Sequence, residues 1–91
     1  MRLTDYEIKF IKETVNRYIP SKIYIFGSRL NNEKLGGDLD IYLIPKKTPS
    51  LDKIGIIKII LEERLLLKVD IIISKNKTRE IEQQALKGVL I

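Results

Sequence analysis

Asp38 and Asp40 flank a single leucine, and Asp70 sits inside a second apolar run, Val69-Asp70-Ile71-Ile72-Ile73. Aspartate is disfavoured in strands, so three of them in strand-like runs need a reason. Side chains alternate along an extended chain, which puts Asp38 and Asp40 on one face, about 7 Å apart along the strand. Pairing of the two runs would bring Asp70 beside them. Three ionised carboxylates at that spacing would repel one another, and a divalent cation relieves the repulsion. Upstream, Gly27-Ser28 closes another apolar run. Glycine lets a phosphate approach the backbone, amides at a turn leading into a helix offer oriented donors, and serine adds a hydroxyl. Taken singly, a strand aspartate is an edge charge and Gly-Ser an ordinary turn. Together they equip a chain for metal-dependent nucleotidyl transfer. No lysine follows in Walker spacing, which excludes the common P-loop.

Composition narrows the chemistry. The 91 residues include no cysteine and no histidine. Disulfides, thiolate catalysis and Cys-type zinc are excluded, and any metal must take oxygen ligands, which selects magnesium, manganese or calcium. The length fits one domain, residues 1–91, with a small core drawn from a 44% hydrophobic share. So short a chain leaves little room for a second, acceptor-holding domain, so the acceptor is expected on another molecule. The formal charge of +5 is spread out, with Lys46-Lys47 and Lys68, Lys75, Lys77, Arg79 as the nearest approach to clusters. Solvated faces explain these more simply than a nucleic-acid platform, because aromatic residues are not interleaved with them. No apolar run reaches about 18 residues and the opening Met1-Arg2-Leu3-Thr4 holds no secretory segment. A cytoplasmic protein with no membrane association is the expectation.

The surrounding elements must place these groups. Thr4-Asp5-Tyr6-Glu7 reads as a capping box, followed by a stripe of Ile8, Ile11, Val15 and Tyr18 and stopped by Pro20. Lys22 to Phe26 predicts a strand, Arg29 to Lys34 a helical turn, and Asp38 to Ile44 a second strand. Ser50 can cap a helix to about Leu66 whose main stripe is Ile54, Ile57, Leu61 and Leu65, with Ile56 and Ile60 nearly opposite. Lys68 to Ile73 predicts a third strand. Thr78 is placed to cap a last helix through Lys87, which Gly88 stops before an apolar tail, Val89-Leu90-Ile91. The order predicts an α/β (α+β) fold: a small mixed β-sheet with helices packed on one face and the acids on the other, more open face.

Three further features admit two readings each. Arg29 contacts phosphate or acceptor, or simply solvent. Tyr42, on the acid face, packs in the core or meets a nucleobase. Ile56 and Ile60 lie under the C-terminal segment, or form an apolar patch for oligomerisation or a partner.

Phe26-Gly27-Ser28-Arg29, Gly37-Asp38-Leu39-Asp40-Ile41 and Val69-Asp70-Ile71 resemble the signature of the DNA polymerase β-like nucleotidyltransferase superfamily. The length resembles its minimal nucleotidyltransferase (MNT) branch. The resemblance implies the polymerase β-like nucleotidyltransferase fold. It further implies that Gly27 and Ser28, with Arg29 beside them, bind the nucleotide phosphates, and that Asp38, Asp40 and Asp70 hold two Mg2+ ions. Asp70 would also help deprotonate the acceptor hydroxyl. Some proteins of this branch are antitoxins that transfer AMP from ATP to a tyrosine of a HEPN-domain toxin, and the same activity and partner are implied here. The nine residues between Ser28 and Asp38 make a spacer slightly shorter than in many such antitoxins, with Gly36-Gly37 where a serine often stands. The rival reading is a non-catalytic antitoxin, a binding module that neutralises its partner by forming a complex. Transfer to RNA or a small molecule ranks last, since relatives of that kind carry added domains.

Overall fold

The computed structural model describes residues 3–26 and 39–91. Helix α1, Asp5–Tyr18, starts at the expected capping box: the Glu7 amide donates to Thr4 Oγ1 at 3.1 Å, and the Thr4 amide donates to Glu7 Oε1 at 2.9 Å. Its inward stripe buries Ile11 and Val15 completely. The chain leaves the helix at Ile19, crosses Pro20 and enters β1, Ser21–Phe26. Strand β2 runs Leu39–Pro45, helix α2 Leu51–Leu65, and β3 Val69–Ile73. Ser50 caps α2 as its hydroxyl accepts the Lys53 amide at 3.3 Å.

The four strands lie in the order β3-β2-β1-β4. β1 pairs antiparallel with β2, while β2 and β3 pair parallel with α2 as the crossover between them. The fourth strand, β4 at Val89–Leu90, pairs antiparallel with the other side of β1. The sequence pattern marked those residues only as an apolar tail. Two residues carry too little alternation to announce a strand, and the pairing is made by backbone, including the Ile91 amide donating to Ile23 O at 2.9 Å.

Alternation along the strands divides the apolar residues between two faces. Ile23, Ile25, Leu39, Ile41, Leu43 and Val69 meet Ile11 and Val15 of α1 and Ile57 and Leu61 of α2 in the main core. Each large aliphatic side chain buried there contributes about 1.5–3 kcal/mol of transfer free energy. The opposite face carries Phe26 and Tyr42, with Tyr24, Ile44 and Ile72 packed around them. That face is too apolar to stay bare. Helix α3, Glu80–Leu86, covers part of it through Ala85 and Leu86. Thus α1 and α2 share the expected helical face, while α3 lies across the other. Tyr42 is wholly buried beneath it, so core packing is its role.

α3 is shorter than the Thr78–Lys87 span read from sequence, for a local reason. Asn76 Oδ1, not the Thr78 hydroxyl, accepts the amides of Thr78 and Arg79, and the helix starts one turn position later. No described helix is long and apolar enough to cross a membrane.

Candidate active site

Asp40 and Asp70 are direct register partners on the parallel strands β2 and β3. Adjacent strands lie about 4.8 Å apart, and side chains of register partners share a face. Leu39 and Ile41 on either side of Asp40 point into the main core, so both carboxylates project from the opposite face, the one α3 partly covers. Phe26, the last residue of β1, is the register partner of Asp40 on its other side. The strand-borne acids therefore sit at the end of the sheet where β1 stops and β2 and β3 begin.

They line a cleft of about 830 Å³ between the sheet and α3, within the range of small-molecule sites. Ile81, Gln84, Lys87 and Gly88 form the α3 side. Around the open edge of β3 the cleft reaches Ile54 and Lys58 of α2. It holds two carboxylates for cations and two ammonium groups for anions, with apolar walls between them. The sequence pattern did not single out Lys58, Lys87 or Gln84. Lys58 sits on α2 far from the acids in sequence, and the crossover packing alone brings it there.

Gly27, Ser28, Arg29 and Asp38, together with the expected helical turn from Arg29 to Lys34, lie outside the described residues. Among the described residues no set of three or more acidic, histidine or cysteine side chains gathers at one point. The two carboxylates that do meet are hard oxygen donors, and the chain has no nitrogen or sulfur ligand of the His or Cys type to compete. Such a donor set fits magnesium.

A buried carboxylate that the sequence pattern did not mark holds α3 in place. Glu82 is completely buried. It accepts hydrogen bonds from Tyr42 Oη at 2.8 Å, Arg79 Nε at 2.6 Å, and the amides of Lys75 and Lys77 at 3.1 and 3.0 Å. Burial pushes its pKa up, but the Arg79, Tyr42 and amide hydrogen bonds outweigh that and hold it well below the usual carboxylate range. Tyr42 moves the other way. Burial raises its pKa above 10.0, and the neighbouring Glu82 charge adds to the rise, while Ser74 and Arg79 oppose it. The only sequence signal was Tyr42 on the acid face. Nothing in a solitary Glu82 on a short amphipathic helix marked it as buried.

On the outer side of α2, Ile56 and Ile59 are exposed while Ile60 is half-buried. Of the two readings open for Ile56 and Ile60, exposure fits Ile56, and it is Ile59 rather than Ile60 that is exposed beside it.

A family model described as polymerase beta, nucleotidyltransferase matches residues 9–91. Among curated proteins none matches. Among solved structures, the crystal structure of a mutant of the toxin-antitoxin MntA-HpeT superposes with a TM-score of 0.75 at 22% identity, over 92% of this chain and 70% of that one. At that identity the likeness is one of fold.

Proposed function

This chain belongs to the polymerase beta nucleotidyltransferase family, and from that premise we propose that it transfers AMP from ATP to a tyrosine hydroxyl of a HEPN-type toxin, acting as its antitoxin. The observation that carries the reading is the side-by-side register of Asp40 and Asp70 in a cleft of nucleotide size. The solved neighbour of like fold is named as a toxin-antitoxin pair, which supports the choice of partner class.

In this reaction the acceptor oxygen forms a bond to the α-phosphorus of ATP. The bond from that phosphorus to the bridging oxygen breaks, and pyrophosphate leaves. Asp70 takes the hydroxyl proton, and its partner position beside Asp40 sets where the acceptor must stand. Gly27, Ser28 and Arg29 bind the β- and γ-phosphates, and Lys58 and Lys87 add positive charge at the cleft walls. Two Mg2+ ions held by Asp38, Asp40 and Asp70 would neutralise the charge that builds on the attacking and leaving oxygens. Positioning and electrostatics supply most of such catalysis, so the lack of histidine removes nothing essential.

The test is intact-mass analysis of a candidate toxin after incubation with this protein, ATP and magnesium. Whole-AMP increments are expected, absent with Asp40→Ala. Asp70→Asn is expected to lower turnover by about 10²–10⁴-fold, the usual worth of a general base, with nucleotide binding little changed. Full activity of Asp40→Ala would refute the site. The exposed Ile56 and Ile59 favour one alternative, neutralisation by complex formation. Its mark is an Asp40→Ala protein that still silences the toxin.

A further inference from the structure

β3 ends the sheet on the side of the acids, and its outer edge is finished at both ends but not in the middle. The Leu39 amide donates to Lys68 O and the Ser74 amide to Leu43 O, so Asp70 and Ile72 turn their backbone groups towards β2. Val69, Ile71 and Ile73 turn theirs outward. Of these, the Val69 N–H is taken by Glu62 Oε2 at 2.9 Å and the Ile73 C=O by Arg79 Nη2 at 3.0 Å. Among the described residues nothing pairs with the backbone of Ile71 between them. Clefts lie along this edge at both ends. One holds Asp40, Asp70 and Lys58, the other Lys46, Lys47 and Lys75, and Ile54 lines both.

We propose that the acceptor is presented as an extended, acidic segment that adds to this edge as a fifth, antiparallel strand; the inference rests on the nucleotidyl-transfer reading of the same cleft. Antiparallel addition is the more stable pairing and places the guest residue opposite Asp70 in a non-hydrogen-bonded pair, about 4.5 Å between Cα atoms. Register partners share a face, so a hydroxyl-bearing side chain at that position projects beside the Asp70 carboxylate. The guest then runs back towards Lys46, Lys47 and Lys75, which puts its acidic residues about four positions N-terminal to the acceptor at ~3.4 Å per residue. Acidic residues nearer the acceptor would meet Asp40 and Asp70, which disfavours them. The outer groups of Ile71 supply the strand pairing, and the lysines set the direction of the guest.

The probe is a synthetic peptide with one tyrosine and glutamates about four residues before it, tested against three controls. The first carries N-methyl groups on alternate backbone amides, the second lysine in place of glutamate, and the third the glutamates after the tyrosine. Amide exchange of Ile71, read by two-dimensional NMR, is expected to slow at least tenfold with the unmodified glutamate–tyrosine peptide and not with the N-methylated one. The lysine and reversed peptides should bind at least tenfold more weakly. Ile71→Pro, which removes an outward N–H and no ladder bond, should abolish peptide binding while the amides of the β1–β2 ladder stay protected. AMP transfer to the peptide without Ile71 protection overturns edge docking and leaves nucleotidyl transfer standing. Protection without transfer supports docking and counts against the transfer reading. Equal binding by the N-methylated peptide, or no binding by any, overturns the proposal.

Discussion

Tyr42→Phe tests the network that seats α3 at a hydroxyl that bonds both Glu82 and Ser74. The change removes only the hydroxyl, which donates to Glu82 Oε1 at 2.8 Å from a fully buried ring. A hydrogen bond to a charged group is worth about 1.5–3 kcal/mol. The carboxylate keeps Arg79 Nε and the amides of Lys75 and Lys77, so the remaining donors share the load and the loss falls at the lower end. The ring and its packing against Tyr24, 6.0 Å between centroids, are retained, so no cavity adds to the cost. The expected destabilisation is about 1.5–2 kcal/mol, which for a chain of this length lowers the melting midpoint by roughly 6–16 °C. Urea unfolding at neutral pH measures it, and the slope with denaturant should be unchanged because the surface exposed on unfolding is the same. A loss under about 0.5 kcal/mol, the scale of an ordinary surface substitution, would refute the view that this bond is made to a buried charge.

Glu82 also predicts an acid limb. Its folded pKa lies below the ordinary 4.5, so its stabilising contribution is fully present above that pH and is lost as pH falls below it. Unfolding free energy should decline progressively under pH 4.5, and Glu82→Gln should flatten that decline. Tyr42, raised above 10.0 by burial, contributes below pH 10 and loses that contribution as pH rises past it. Gly88→Ala should loosen the other end of the sheet. An added Cβ would stand 2.3 Å from Ile25 O and 2.8 Å from Phe26 Cβ, and a backbone carbonyl cannot swing aside. β4 must then lift from β1, at about 1–3 kcal/mol for such overpacking. Faster amide exchange at Ile91, with the β1–β2 ladder still protected, is the expected signature.

The repeating parts of the fold were legible because each repeat is a burial instruction. The Ile11 and Val15 stripe, the Ile57 and Leu61 stripe, and the alternation around Asp40 and Asp70 each announced which side faces the core. The pairing of Asp40 with Asp70 followed from two short strands of matching pattern joined by one helix. What alternation could not convey was the second face. Tyr24, Phe26, Tyr42 and Ile72 are as apolar as the first set, yet the helix that covers them is only seven residues long. Its strongest anchor is an ionised side chain, which a hydropathy pattern reads as exposed. The Thr78 cap failed for a related reason: Asn76, two residues earlier, competes for the same amides at short range. Lys58 and Lys87 were invisible because their role depends on where α2 and α3 dock, and no local spacing encodes that.

The buried carboxylate also acts as an alignment key. A short helix held only by Ala85 and Leu86 could slide or rotate over the sheet by a residue at little cost, since one small apolar contact replaces another. Glu82 forbids this. Any slip takes an ionised group away from Arg79, Tyr42 and the amides of Lys75, Asn76 and Lys77 while leaving it under apolar cover. Uniqueness of packing is one attested use of a buried ionic group. Here it would fix more than the helix, because Ile81 and Gln84, which share the helix with Glu82, and Lys87, which follows its last turn, form a wall of the cleft. The acids are set by the ladder between β2 and β3; the wall facing them takes its bearings from one side chain.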